Sequence, residues 1–484
     1  MSTPYFPSWR CQLAALGRHT TSTLRQATLS QLQEHLRDLI PASLLSCEEA
    51  GAGSRQRVFS LRLTFECFVW QMLKAQTSCR EVVRQVQALL RLAGRAPIDE
   101  GDSAYIQARQ RLPGHRLEKA LVATARSADQ RAGAQGTLAG RPVLVVDGSS
   151  TQLPDTAQNQ KRYPQPGSQK PGCGFPVIRL VALMSLCSGA VVRVAMDSLR
   201  SHDLRLFSRL REFLKSGDIV LGDRAFGEYT TLAQLPLRGV DVVARLHHQR
   251  KVDLRKGKRL GKNDRLLVWE KGWMQSHILT PKQWRQMPSQ ITVRIIRFCA
   301  VIRGFRHRRL TLVTTLLDPK TYPAGQLIEL YGRRWRLELC FRDLKTTLGL
   351  ERLRCQSPAM AQKELLAGLL AHNLVRALMA EAAARHEARL ERISFKGALD
   401  ALRQYSGALG QARSRKMRGQ LWEDLLLNLA RDLVPPRPGR REPRAIKHRP
   451  KPFPLLNRPR HQFVEISHRP RYWKGRPRNY RGLN

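Results

Sequence analysis

The sequence predicts an α/β chain: a mixed sheet flanked by helices, a helical region ahead of it, and a strand-rich block set into it. Three observations carry this. Apolar residues recur at helical spacing through residues 55–130, the pattern changes at residue 141 to short apolar runs bounded by glycines and acids, and helical spacing returns over 359–430. The middle runs follow the order strand, hairpin, helix, strand, helix, strand, which describes a mixed sheet covered by helices.

In chain order, "FSLRLTFECFVWQMLKAQ" is apolar at helical spacing, and "SCREVVRQVQALLRLAG" opens with a capping box, Ser78 followed by Glu81. Val82, Val83, Val86, Leu89 and Leu90 form its inner stripe. Asp102 or Ser103 caps a further helix, "AYIQARQRL". Helix, turn, helix with outward arginines suits a DNA-binding module and equally a plain helical bundle. "RPVLVVDG" then reads as a strand ending in Asp147, "FPVIRLVALMSLCSGAVVRVAM" as two strands about a Ser188-Gly189 turn, "DLRLFSRLREFL" as a helix, "GDIVLGDRAFG" as a strand ending in Asp223, and "DVVARLH" as another strand. Residues 246–309 hold strand patterns, "RLLVWEKGW" and "ITVRIIRFCAVIRGF", with no convincing helix. "RLTLVTTLL" resumes the sheet, and Asp318 and Pro323 open a helix expected to run through residue 345. These readings divide the chain into a helical N-terminal region (1–135), a first core segment (136–245), a β-rich insertion (246–309), a second core segment with C-terminal helices (310–430) and a Pro- and Arg-rich tail (431–484) expected to lack a fold.

Composition narrows the partners. The 484 residues carry a formal net charge of +46, with 42% hydrophobic residues, enough for real cores. A folded chain this cationic repels itself and seeks a polyanion, nucleic acid first and an acidic membrane surface second. No apolar run reads as the ~18 residues of a spanning helix, and no signal peptide is evident at the start. Nine cysteines, scattered singly with no C-x-x-C, point to reduced thiols rather than a disulfide frame or a zinc site.

The stretch Tyr331–Lys345, "YGRRWRLELCFRDLK", sets a carboxylate among cations. At about 100° per residue, Tyr331, Arg334, Glu338 and Lys345 fall within an arc of about 60° on one helix face, while Asp343 points about 140° away from Glu338. An i, i+4 ion pair between Arg334 and Glu338 on a solvated helix accounts for part of this without any function. With Asp147 and Asp223 at strand ends, where open α/β sheets place their sites, the set acquires a second reading. Three carboxylates meeting in a basic protein suit Mg²⁺, a hard cation that prefers oxygen ligands. Two such ions can activate a water or 3′-hydroxyl and stabilise the leaving oxygen of a phosphodiester. Asp155 and Asp343 are set aside as acids outside this group, and Cys340, Phe341 and Leu344 are assigned to the core.

"YGRRWRLELCFRDLK" fits Y-x2-R-x3-E-x6-K without deviation. With "VVDGSSTQLPDT" and "VLGDRAFGEY" it resembles the bacterial insertion-sequence transposases of the DDE class, specifically the insertion-sequence-four family, over roughly residues 55–430. The resemblance implies a ribonuclease H-like fold with a β-rich insertion between the second aspartate and the glutamate. It implies that Asp147, Asp223 and Glu338 hold two Mg²⁺ ions, with Mn²⁺ as a substitute. Tyr331, Arg334 and Lys345 would grip phosphates near the element's end. Arg224, directly after Asp223, either reaches phosphate as well or makes a structural ion pair. Trp269, Trp273 and Trp284 lie in the insertion, where a relative can stack a tryptophan on a flipped base; no spacing singles one out, and core packing is expected for each. The implied activity is binding of terminal inverted repeats, metal-dependent hydrolysis and joining of 3′ ends to target DNA. The implied setting is a homodimer on double-stranded DNA, in a bacterial cytoplasm at the nucleoid and away from membranes. A ribonuclease H-like nuclease without strand transfer, and an inactive DNA-binding relative, are the alternatives.

Overall fold

A computed structural model describes residues 39–45, residues 58–435 apart from 75, 93, 95, 97, 134–135, 248, 273–278, 301–307 and 413, and residues 456–463. Trp273 and nearly all of the tail lie outside the described residues.

Among the described residues, four α-helices precede the sheet: α1 (Leu61–Leu73), α2 (Cys79–Leu92), α3 (Ser103–Arg111) and α4 (Gly114–Ala132). The capping box of α2 forms as the sequence suggests: the Glu81 N–H donates to Ser78 Oγ (3.2 Å), and the Ser78 N–H donates back to Glu81 Oε2 (2.5 Å). Each bond satisfies an amide that the first turn of a helix otherwise orphans. Asp102 precedes α3 but makes no side-chain cap.

Ten strands follow: β1 (Thr137–Leu138), β2 (Arg141–Gln152), β3 (Val177–Ser185), β4 (Val191–Ser198), β5 (Ile219–Gly222), β6 (Asp241–Arg245), β7 (Lys258–Gly261), β8 (Asp264–Glu270), β9 (Gln290–Ala300) and β10 (Arg308–Thr314). Between and after them lie α5 (Ala157–Arg162), α6 (Asp203–Leu210), α7 (Tyr229–Gln234), α8 (Pro281–Arg285), α9 (Ala324–Arg333), α10 (Trp335–Arg342), α11 (Pro358–Arg385), α12 (Phe395–Gln411) and α13 (Arg415–Arg431).

The sheet runs β4-β3-β2-β5-β6-β10-β9-β8-β7, with β1 paired to β2. In the first five strands, β3 is antiparallel to both neighbours while β2, β5 and β6 are parallel. This is the ribonuclease H-like order that the resemblance implies. The expected β3–β4 hairpin is present, with Gly189 at φ 74° supplying the left-handed turn. The strands of residues 246–309 do not form a block apart: β10 pairs with β6 on one side and β9 on the other, so β7–β9 extend the same sheet.

Alternation sorts the strand residues to two faces. Val143, Val145, Ile219, Leu221 and Val243 join the core beneath α4, α10 and α11; Val146, Val220, Val242 and Ala244 join a second core with Phe207 of α6 and Leu232 of α7. Helix α11 is apolar nearly all round, so it is buried nearly all round. By length and composition it is apolar enough to cross a membrane, which the sequence reading did not recognise, yet it forms the centre of the larger core. Asn373 pins it there: its side-chain amide donates to the Val191 (2.9 Å) and Leu121 (3.2 Å) carbonyls and accepts the Val191 N–H (2.8 Å).

Two further readings are corrected. Residues 246–309 do contain a helix, the short α8, held by a Thr280–Gln283 capping box behind Pro281. The helix expected from Asp318 through residue 345 is three pieces: α9 ends at Arg333, α10 begins at Trp335, and residues Asp343–Thr347 form a π-turn. At the junction the bonds tighten to i→i+3, Arg334 N–H to Tyr331 O and Leu337 N–H to Arg334 O (both 3.1 Å).

Candidate active site

Asp147 lies in the middle of β2, not at its end as the sequence reading had it; the strand continues through "GSSTQ" because β3 pairs with it as far as Gln152. The parallel neighbour stops sooner. Pairing with β5 runs Val143↔Ile219, Leu144↔Val220, Val145↔Leu221, and continuing that register sets Asp147 opposite Asp223, just past the last residue of β5. Adjacent strands lie about 4.8 Å apart. Val145 and Leu221, two residues back, point into the core under α10, so by alternation the two aspartates face the same helix.

Helix α10 brings the third acid. Arg334, at its junction with α9, donates Nη1 to Asp147 Oδ2 and Nη2 to Glu338 Oε1, both at 3.1 Å. The i, i+4 pair anticipated from the sequence is real, but the same guanidinium also reaches across to the sheet. Its side chain is 16% exposed, against 22% for Asp147 and 38% for Glu338, so this is a sheltered bridge, not a solvated surface pair.

Electrostatics ties the acids together. Burial pushes the Asp147 carboxyl up; the Gly148 amide and Arg334 oppose this, and the Asp223 and Glu338 charges reinforce it. Burial raises the Tyr331 phenol as well, against the pull of Arg334 and Arg245, with Asp223 again raising it. Arg334 is held above its ordinary value: burial works against its charge, and Tyr331, Asp147 and Glu338 more than compensate. Four of the anticipated residues thus meet with Arg334 at one place: Asp147, Asp223, Glu338 and Tyr331.

Lys345 lies in the π-turn, where the spacing departs from 100° per residue, and it lines a groove of about 1160 Å³ with Arg109, Arg352, Arg354 and the start of α2. Arg224 makes no ion pair among the described residues, and its buried Nε has no partner there. The structural pair considered for it is not seen among the described residues. Asp343 pairs with Arg342 at 3.5 Å. Asp155 accepts a bond from Gln160 and stays outside the site. Cys340, Phe341 and Leu344 are core residues, as is Trp269 at 6% exposure; Trp284 packs partly buried against the same cluster.

The donor set fits a hard divalent cation. The acids gathered about Arg334 are carboxylates with no thiol or imidazole among them, and each aspartate commits one oxygen to an amide, Gly148 N–H to Asp147 and Ala225 N–H to Asp223 (both 2.8 Å), which orients the other. Among the described residues, no three ligating side chains stand close enough to share an ion in this arrangement; the Arg334 guanidinium occupies the space between Asp147 and Glu338 and neutralises them there. Sequence reasoning missed that bridge, because spacing along one helix cannot show a contact to a strand 187 residues away.

Comparison with known proteins finds transposases. The transposase DDE domain family matches residues 138–374. Across 451 residues the chain is 26% identical to the transposase InsG for insertion sequence element IS4 of Escherichia coli (strain K12), covering 91% of this chain and 97% of that protein. A 64-residue stretch is 39% identical to the transposase for insertion sequence element IS421 of Escherichia coli, covering 13% of this chain and 17% of that protein. Among solved structures, the piggyBac transposase synaptic complex with hairpin DNA aligns over 87% of this chain and 88% of that one, at 9% identity and a TM-score of 0.41.

Proposed function

We propose that this chain is a DDE transposase of the insertion-sequence-four kind, dependent on divalent metal, that Asp147, Asp223 and Glu338 are its catalytic carboxylates and that they hold two Mg²⁺ ions, with Mn²⁺ as a substitute. The observation that carries this is the bridge of Arg334 from Asp147 to Glu338 beside Asp223. Ions held there would activate the attacking water or 3′-hydroxyl and stabilise the leaving oxygen. Arg334 keeps two like charges together in the resting protein, and its planar fork turns to a phosphate once the acids are otherwise neutralised. Tyr331 orients that fork. Arg224, with an unpartnered buried nitrogen beside Asp223, donates to a second phosphate oxygen.

The groove beside Lys345 seats the element's end. It lies between the sheet's far edge of β2, where Gln152 bridges Arg352, and the helices α1–α3. Its half-buried Lys345 and exposed Arg352 and Arg354 position a backbone, and its exposed amides, Gln76 and Gln110, suit contacts to base edges. Residues 1–135 serve as the end-recognition region, 246–309 as an insertion that braces the core, and 431–484 as a cationic arm. Two ends must be held at once for joining, so the working form is a homodimer on double-stranded DNA, acting at the nucleoid in the cytoplasm.

The test is cleavage of a duplex bearing the element's terminal repeat, with end binding followed in parallel. Asp147→Ala, Asp223→Ala and Glu338→Ala should each abolish Mg²⁺-dependent cleavage and retain end binding. A variant that cleaves near the wild-type rate removes that residue from the centre.

A further inference from the structure

A second basic surface lies on the other side of the acids. A cavity of about 930 Å³ opens behind α10, floored by Val145 and Met184 of the sheet and walled by the second half of α11. Its cations are Arg333, Arg336, Arg342, Arg376, Arg389 and Lys396 and its acids are Asp343, Glu387 and Glu391, while Arg333 and Lys396 also pair outward with Glu329 (2.8 Å) and Asp400. Glu391 is engaged by Arg336 (3.4 Å) and Asp343 by Arg342 (3.5 Å). Arg376 spends Nε on the Ser188 carbonyl (2.6 Å) and makes no ion pair among the described residues. The cations crowd one another: burial lowers the Arg336 guanidinium, and Arg333 and Arg376 lower it further against the pull of Glu391. A concave, half-buried cluster of guanidiniums in excess of its carboxylates is a site for phosphate.

Strand β2 measures where this cavity stands. Val145 on its floor is two residues before Asp147, about 7 Å along the strand, and Gln152 at the Lys345 groove is five residues beyond, about 17 Å. The two basic surfaces therefore flank the acids on opposite sides. A duplex strand advances 3.4 Å per nucleotide, so a strand crossing Asp147 brings a phosphate to the cavity roughly two nucleotides from the cleaved bond.

We propose that this cavity binds backbone phosphates of the DNA outside the element: the flanking strand before cleavage, and the target duplex at joining. The proposal rests on the catalytic reading of Asp147 and on the groove beside Lys345 taking the element's own end. Arg342 and Arg389 are both exposed, so their removal leaves the packing intact.

The experiment assembles the full-length protein on pre-cleaved ends, which carry no flanking DNA, and measures capture of a labelled target duplex across a salt series. For Arg342→Gln/Arg389→Gln, affinity for pre-cleaved ends should stay within twofold of wild type. Target capture should fall at least tenfold, and its log–log salt slope should flatten by about two units. Arg336→Lys should keep target capture where Arg336→Gln loses it. Unchanged target capture, or an equal loss for pre-cleaved ends and target, overturns the proposal. So does binding of ATP by the DNA-free protein that the double variant abolishes, which would make the cavity a nucleotide site. Failure of the catalytic reading appears separately, as Mg²⁺-dependent cleavage that survives Asp147→Ala.

Discussion

Arg334 shows how one side chain joins what the sequence separates. Its spacing from Glu338 was legible as an i, i+4 pair; its contact with Asp147 was not, because that depends on how α10 lies over the sheet. The bridge needs two donors at a fixed angle, which a lysine ammonium does not supply. Arg334→Lys and Arg334→Gln should therefore both lower Mg²⁺-dependent cleavage by about 10²-fold, the scale of a misplacement of about 1 Å, with end binding read by mobility shift as the control. Cleavage near the wild-type rate in Arg334→Gln would detach the bridge from catalysis. A second residue acts on stability alone. His372 is fully buried in α11, stacked on Phe395 at 5.1 Å, with neither ring nitrogen hydrogen-bonded among the described residues. Burial, with Arg376 nearby, lowers its pKa to about 3. Because the folded value lies below the unfolded one, its contribution is whole above about pH 6.5 and is lost as pH falls towards 3, at about 1.4 kcal/mol per unit. Between about pH 7 and pH 5, wild type should lose roughly 2 kcal/mol more than His372→Leu in urea unfolding. Parallel losses would place the acid sensitivity elsewhere.

Among the elements, those with local signals were the readable ones. The Ser78–Glu81 box, the Ser188-Gly189 turn and the apolar alternation of β2–β6 each fix their own segment. The break at Arg334 and the π-turn at Asp343–Thr347 carry no such signal, so the single helix drawn through residue 345 is three pieces in the structure. The insertion joins the core sheet for a related reason. Arg294 of β9 is wholly buried; it forks onto Asp264 of β8 (2.6 and 2.9 Å) and donates to the Tyr322 carbonyl (2.7 Å) in the loop ahead of α9. Tyr322 in turn accepts from Arg141 at the start of β2 (3.0 Å). The insertion thus braces the loop from which the signature helices spring. Arg294→Ala leaves a buried carboxylate unpaired and should cost about 3–5 kcal/mol. Asp264→Leu/Arg294→Met should cost less than Arg294→Ala by chemical denaturation; a double variant as unstable as the single would deny the pair its role.

At the scale of the whole molecule, the charge of +46 was the plainest sequence signal, and the structure distributes part of it to two basic surfaces on either side of Asp147. The tail adds to it: residues 435–484 hold fifteen arginines and lysines against two glutamates. Deleting them should weaken specific and non-specific DNA binding by similar factors and flatten the salt slope by about 0.9 for each phosphate no longer neutralised. An unchanged slope with failed pairing of ends would instead place the tail at the dimer interface. The ribonuclease H-like order was readable from the sequence only as a succession of elements; the pairing of β10 with β9 depends on long-range packing that no local pattern encodes. The central claim, that Asp147, Asp223 and Glu338 form one metal centre, is tested most directly by counting bound Mn²⁺ through electron paramagnetic resonance on the protein assembled with pre-cleaved ends. Two ions per protomer should bind the wild type, and each single alanine variant should lose at least one. Full occupancy in any of the three variants would contradict the claim.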